Sequence, residues 1–153
     1  SIERILSGMK LTNGMDWSLD GRTFYLIDTG AFTLYSFDYQ GGNISNQRTA
    51  MVFDPTFEEY PDGMSVDAEG CLWIAFWNGG CLRRYSPQFE LLQRIDFPVR
   101  FLTSCAFAGD EFKTLVVTTA MGDNGWHDEH ELAGSTFIVK PDVQGKASYV
   151  FAK

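Results

Sequence analysis

The chain has 153 residues and carries 20 acidic against 12 basic side chains, a formal net charge of −8. This charge disfavours nucleic-acid binding, because neutralising phosphates requires clustered basic residues. With 44% hydrophobic and 21% charged residues, the chain has the composition of a folded domain rather than a disordered one, and its length suits one domain with a real core. We expect small molecules or metal ions as partners.

The composition also predicts the class of fold and the compartment. Aromatic residues reach 15% and there are 15 glycines, a mixture that favours strands joined by tight turns, so we expect an all-β protein. No apolar run approaches the roughly 18 residues of a membrane span, and residues 1–10 lack a secretory signal pattern. Cys71, Cys81 and Cys105 are odd in number and lack zinc-type spacing, which favours free thiols in the cytoplasm.

A repeated motif organises the chain. Residues 13–17 (NGMDW) precede an Asp-Gly turn and a strand pattern, and residues 62–66 (DGMSV) open the same arrangement 49 residues later. A fainter copy begins at residues 103–107 (TSCAF), after a further 41 residues. Periods of about 40–50 residues with regular turn signals are typical of β-propeller blades. We predict three blades at about 13–54, 62–97 and 103–152.

Each predicted blade has four strands, bounded by Gly, Pro, Asp or Asn. The predicted strands are 14–19, 23–28, 33–39 and 48–53 in the first blade, 63–67, 71–77, 81–86 and 91–97 in the second, and 104–108, 114–119, 135–140 and 147–152 in the third. Residues 1–9 are interpreted as a leftover outer strand of a preceding blade.

Three blades do not close a ring, because propellers generally need at least four. Two arrangements remain open. The chain is either part of a longer protein, or it forms a homodimer in which three plus three blades make a six-bladed ring. Either arrangement would cover the blade faces and strand edges that a lone arc exposes.

Four segments carry a resemblance to a known family: residues 11–21 (LTNGMDWSLDG), 37–46 (FDYQGGNISN), 61–75 (PDGMSVDAEGCLWIA) and 77–80 (WNGG). Together they resemble the family of regucalcin (senescence marker protein), gluconolactonase and luciferin-regenerating enzyme. The resemblance covers nearly the whole chain and corresponds to the C-terminal half of a family member. It implies a six-bladed propeller about twice as long as this chain.

The resemblance also implies a chemistry. Family members are divalent-metal-dependent enzymes, often hydrolysing sugar lactones, whose metal is held on the propeller axis by a Glu, an Asn and an Asp. Asn13 matches the Asn of the S/T-N-G motif, and Asp62 matches the Asp of the P-D-G motif, where it is both a metal ligand and the general base. The Glu ligand, a second Asn and the substrate-binding Arg belong to the N-terminal half, which this chain does not contain.

The repeat supports the same two residues independently. Equivalent positions in successive blades are related by rotation about one axis, so Asn13 and Asp62 can converge at the mouth of the channel. Their oxygens are hard donors that suit Ca²⁺, Mg²⁺ or Mn²⁺, although such ions need about six or more oxygens. Thr103 is the equivalent residue of the third repeat and is expected to line the cavity. The cofactor we expect is one divalent metal ion: calcium, zinc, magnesium or manganese.

Other candidate residues are weaker. We expect Trp17 and Trp73 to pack between blades, whereas Trp77, beside a turn, and Trp126, in a long loop, are candidates for ligand contact. Residues 127–130 (HDEH) lack a helix that would place both imidazoles on one face, so we interpret them as a solvated loop rather than a metal site.

The function predicted from the sequence is therefore metal-dependent hydrolysis of sugar lactones, with Asp62 as general base, Asn13 and Asp62 as metal ligands, and Thr103 and Trp77 as substrate contacts. Two alternatives use the same fold: a non-catalytic half-propeller that serves as a binding or scaffold protein, and a calcium-binding protein without turnover.

Overall fold

The computed structural model describes residues 2–122 and 125–147, and these form three antiparallel sheets. In chain order the strands are β1 (Thr12–Trp17), β2 (Thr23–Asp28), β3 (Thr33–Gln40), β4 (Asn43–Val52), β5 (Tyr60–Val66), β6 (Leu72–Trp77), β7 (Cys81–Tyr85), β8 (Leu91–Asp96), β9 (Leu102–Ala108), β10 (Thr114–Thr119) and β11 (Thr136–Val139). The sheets are ordered β1-β2-β3-β4, β5-β6-β7-β8 and β11-β10-β9. Each sheet follows the chain as an up-and-down meander, so the predicted all-β, blade-like architecture is confirmed.

The strand boundaries differ from the sequence prediction at several positions, chiefly at the starts of strands. β1 begins at Thr12, two residues before the predicted start at residue 14. β4 begins at Asn43 rather than at residue 48, because Gly41 and Gly42 both adopt positive φ and form a tight hairpin that pairs Gln40 with Asn43. The predicted fourth strand of the third blade, 147–152, lies outside the described residues except for Ala147.

Residues 2–9 form no strand among the described residues and instead lie against the first sheet. Leu6 and Met9 pack on the buried side chains of Phe24, Leu26 and Phe37. Their interpretation as an outer strand of a preceding blade stays a prediction, because no partner strand for them is among the described residues.

Two apolar cores separate the three sheets. One lies between the first and second sheets and the other between the second and third. The second sheet is therefore buried on both faces. This explains the unbroken apolar sequence of β6 (LWIAFW), in which only Trp77 retains partial exposure. Cys71, Cys81 and Cys105 are buried free thiols, as predicted.

The first strands of the three sheets, β1, β5 and β9, lie side by side on the inner edge of the arc. A side chain added at Gly14 would meet the backbone nitrogen of Met64 at 2.7 Å, and one added at Gly63 would meet the Cα atom of Ser104 at 2.6 Å. Both distances are too short for a real contact between heavy atoms. Glycine at these two positions is therefore what allows the inner strands to approach each other.

Each inner strand contains an irregularity in its pairing at the same repeat position. The register shifts between Thr12 and Met15 in β1, between Pro61 and Met64 in β5, and beside Thr103 in β9. A β-bulge inserts an extra residue and redirects its side chain. The three bulges include Asn13, Asp62 and Thr103, the residues that the repeat makes equivalent.

No helix in residues 2–122 or 125–147 is both long and apolar enough to cross a membrane.

Replacing Gly63 with alanine tests the close packing of the inner strands. We expect Gly63→Ala to lower the free energy of unfolding by about 3 kcal/mol, since the new methyl group collides with the backbone of β9. Gly41→Ala is the control: nothing lies within 4 Å of its added Cβ, so only the cost of positive φ, about 1 kcal/mol, should appear. Urea denaturation measures both, and equal losses in the two variants would contradict the packing account.

Candidate functional site

The bulges of β1 and β5 place Asn13 and Asp62 in one cavity of about 430 Å³ at the inner edge of the arc. The other residues lining it come from the ends of strands and from a loop of the third sheet. They are Leu11, Thr29, Tyr60, Trp77 and Trp126. Two polar groups from successive repeats thus lie inside a mostly apolar and aromatic wall, an arrangement typical of small-molecule sites.

Asn13 and Asp62 lie side by side in the cavity. Burial penalises the charged form of the Asp62 carboxylate and raises its pKa to about 6. Hydrogen bonding from the Asn13 side chain and from the backbone N–H of Gly63 has the smaller and opposite effect on this pKa. The carboxylate is therefore desolvated, with two neutral hydrogen-bond partners opposing that effect.

Thr103 lies at the equivalent bulge in β9, but it is not among the described residues that line the cavity. Its hydroxyl shares a 2.7 Å hydrogen bond with the hydroxyl of Thr118 on the neighbouring strand. The structure thus brings Asn13, Asp62 and Trp77 together and leaves Thr103 beside them. The substrate contact assigned to Thr103 stays a prediction.

Tyr60, Trp77 and Trp126 form an aromatic side of the cavity, and together with the ring of Phe101 that lies behind them we call it the aromatic wall. Phe101 is fully buried, and Trp77 stacks on it with a centroid distance of 4.4 Å. Trp126 meets Phe101 edge-on at 6.1 Å and Tyr60 at 6.3 Å. Tyr60, Trp77 and Trp126 remain partly exposed towards the cavity, so their rings offer a surface for a flat ligand.

The loop before β11 differs in part from its interpretation as a solvated segment. His127, Glu129 and His130 are exposed, but Asp128 is only 8% exposed. Its carboxylate accepts the backbone N–H groups of Arg100, at 2.7 Å, and of His130, at 3.1 Å. Asp128 therefore fastens the loop that carries Trp126 to the segment leading into β9.

Sequence reasoning missed Leu11, Thr29 and Tyr60. The Thr29 hydroxyl donates a 2.6 Å hydrogen bond to the carbonyl oxygen of Pro61 in a buried setting, which holds the backbone just before Asp62. Tyr60 stands two positions before Asp62, and this proximity was an available signal. Thr29 and Leu11 lie in connections whose geometry no local motif indicates.

Asn13 and Asp62 supply some of the oxygen ligands that a divalent metal ion needs. Asp62 supplies carboxylate oxygens and Asn13 an amide oxygen, the ligand types that hard cations prefer. Among the described residues, no group of three His, Cys, Asp or Glu side chains is positioned to hold a metal ion. Any ion at Asn13 and Asp62 therefore requires further oxygens from water, from a ligand or from residues beyond those described.

Comparisons with known proteins agree with this fold. Residues 1–121 match the family model described as the SMP-30/Gluconolactonase/LRE-like region. The chain is 38% identical to human regucalcin over 157 aligned positions, covering 99% of this chain and 52% of that protein.

Among the similar solved structures, two are matched over about half and about a third of their own length. One is a calcium-binding protein, regucalcin, from Agrobacterium tumefaciens, with a TM-score of 0.84 and 25% identity over 95% of this chain and 51% of that one. The other is a gluconolactonase from Xanthomonas campestris, with a TM-score of 0.61 and 26% identity over 74% and 36%. The chain spans about half the length of the human and Agrobacterium regucalcins, and it belongs to the SMP-30/gluconolactonase/LRE-like family.

Proposed function

We propose that the chain supplies half of the active site of a divalent-metal-dependent enzyme that hydrolyses sugar lactones. The observation that carries the proposal is the contact between Asn13 and Asp62 in a cavity with an aromatic side. Membership of a family whose description names gluconolactonase supports it.

Asn13 and Asp62 would hold the metal through their side-chain oxygens. The metal, when bound, would polarise the lactone carbonyl as a Lewis acid. Asp62 would accept a proton from the attacking water while the oxygen of that water bonds to the carbonyl carbon. The ring C–O bond then breaks, and the proton passes to the departing ring oxygen, which gives an open-chain hydroxy acid. In the absence of metal, burial raises the pKa of Asp62 to about 6, and a bound cation would lower it, so Asp62 would be deprotonated at neutral pH.

Trp77 and Thr103 are the proposed substrate contacts. Trp77 would present its exposed face to the apolar side of the sugar ring, since its other face is covered by Phe101. Thr103 would donate its hydroxyl to a sugar oxygen after releasing its hydrogen bond with Thr118.

A calcium-binding role without turnover is the second candidate function. It is favoured by the two hard oxygen donors, Asn13 and Asp62, and by the likeness to a protein described as calcium-binding. It needs affinity for Ca²⁺ but no general base. A scaffold role would need neither Ca²⁺ affinity nor a general base. Metal-binding and lactonase assays on the same sample therefore distinguish the hydrolase, calcium-binding and scaffold functions.

The remaining ligands would come from a completed ring. Either a second copy of this chain or the half of the relatives' length that this chain does not span would provide the missing carboxylate and an arginine for the substrate. The apolar side chain of Ile138 on β11 of the third sheet is 67% exposed, which supports such packing. The three buried free cysteines support a cytoplasmic location for the assembly.

The desolvated state of Asp62 predicts how stability depends on pH in the absence of metal. Because its pKa is raised from 3.8 to about 6, the folded chain binds a proton more tightly than the unfolded chain, and stability falls as pH rises through this window. Asp62→Asn removes the free-energy cost of holding a charged carboxylate in a desolvated position. With a chelator present, we expect the variant to exceed the parent by about 1–2 kcal/mol at pH 8, a gain that shrinks towards zero at pH 4.

Asp38→Asn is the matched control in this chelator experiment, because the exposed carboxylate of Asp38 accepts hydrogen bonds from Asn46 and Arg48, which lower its pKa. Its substitution should give no gain at pH 8. Urea denaturation at the two pH values measures both variants. A gain for Asp62→Asn that is equal at pH 4 and pH 8 would show that burial does not raise the pKa of Asp62.

The same substitution tests the catalytic assignment. Asp62→Asn should lower kcat/KM for D-glucono-1,5-lactone at least about 100-fold, as expected for loss of a general base, and should weaken Mn²⁺ binding. Asp38→Asn should change neither kcat/KM nor Mn²⁺ binding. Full lactonase activity in Asp62→Asn would reject the role of the carboxylate, whereas metal binding without turnover in the parent chain would favour the calcium-binding function.

A further inference from the structure

Arg100 connects the two parts of the aromatic wall that come from different blades. Trp77 ends β6 of the second sheet, whereas Trp126 belongs to the loop between β10 and β11 of the third. Among the described residues, no strand pairing joins these two segments directly. Their separation across the cavity therefore depends on the contacts that the residues between them make.

The side chain of Arg100 contacts both parts. Its guanidinium donates a 2.5 Å hydrogen bond to the amide oxygen of Asn78, the residue after Trp77. The same group lies over the rings of Phe101 and Trp126, at 5.3 and 5.9 Å from their centroids. These distances are within the range of cation–π attraction. One planar group thus touches the turn beside Trp77 and the ring of Trp126.

The backbone of Arg100 makes the same connection. Its N–H donates to the buried carboxylate of Asp128, two residues after Trp126, and its carbonyl accepts the N–H of Gly80 in the turn after Trp77. Main chain and side chain therefore both fasten the loop of the third sheet to the hairpin of the second. The backbone bonds fix the segments, and the guanidinium fixes the ring of Trp126 relative to Trp77.

We propose that Arg100 is a positioning residue that sets the spacing between Trp77 and Trp126, and thereby makes the cavity selective for ligands that present a flat ring rather than an open chain. The proposal rests on the proposed function, because it concerns ring recognition at the same site. Arg100 acts through the tryptophans and is not assigned any contact with the reacting atoms.

Substituting Arg100 while leaving the backbone bonds in place tests this proposal. Arg100→Met removes the hydrogen bond to Asn78 and the cation–π contacts but keeps the length of the side chain. Arg100→Lys keeps the charge but lacks the planar group that stacks on rings. Arg48→Met is the matched control, since Arg48 is an exposed arginine paired with Asp38 in the first sheet.

Near-ultraviolet circular dichroism reports the packing of the tryptophans whether or not a ligand binds. Arg100→Met should change this spectrum in the parent background and leave it unchanged in a Trp126→Phe background, because the affected ring is then absent. Arg48→Met should have no effect. An unchanged spectrum in Arg100→Met, or an equal change in both backgrounds, would overturn the positioning role.

Ligand affinity tests the selectivity. The probe is D-glucono-1,5-lactam, a ring analogue that resists hydrolysis, with D-gluconate as the open-chain comparison, both in the presence of Ca²⁺. The dissociation constant of the lactam should rise about 3- to 10-fold in Arg100→Met, with less than half of this loss recovered in Arg100→Lys, while gluconate binding stays within about twofold. Equal losses for the two probes would overturn the selectivity. If the parent chain binds no lactam, the proposed function fails, and the dichroism experiment still decides the role of Arg100.

Discussion

The close approach of β1, β5 and β9 along the inner edge of the arc is the constraint on which the rest of the structure depends. Gly14 and Gly63 permit it, because any side chain there would meet the backbone of the next inner strand. Once these strands are adjacent, the bulge that each contains directs an equivalent residue towards the same region. The packing of the blades and the position of Asp62 beside Asn13 are therefore two results of one arrangement.

This arrangement also explains the unusual electrostatics of the site. Asp62 follows a backbone held by the buried hydroxyl of Thr29 and precedes a glycine packed against Ser104. Asp62 remains partly exposed towards the cavity, but the surrounding residues desolvate its carboxylate and raise its pKa. An amide partner, Asn13, offsets only part of this cost. A bound cation would offset more of the free-energy cost of desolvating the Asp62 carboxylate, and this is the physical reason for proposing a metal ion here.

The parts of the fold and site that could be predicted are those that repeat. The 49-residue offset identifies Asn13 and Asp62 as equivalent, and rotation about one axis then places them together. The early start of β4 at Asn43 could not be obtained from alternation, because its residues are mostly polar and exposed. Trp77 and Trp126 of the aromatic wall were predicted as candidates for ligand contact from their places beside a turn and in a loop. Their ring contacts with Phe101 and Tyr60 could not be predicted, because these contacts depend on tertiary packing and leave no periodic signal in the sequence.

Native mass spectrometry of the 153-residue chain, with and without Ca²⁺, tests the central claim most directly, because one spectrum reports both subunit count and bound metal. The account predicts a species that gains one calcium ion per Asn13–Asp62 site, either in a dimer near twice 17.2 kDa or in a monomer whose shell is completed by water. A chain that stays free of metal at every subunit count, with Ca²⁺ and also with Zn²⁺, Mg²⁺ and Mn²⁺, would contradict it.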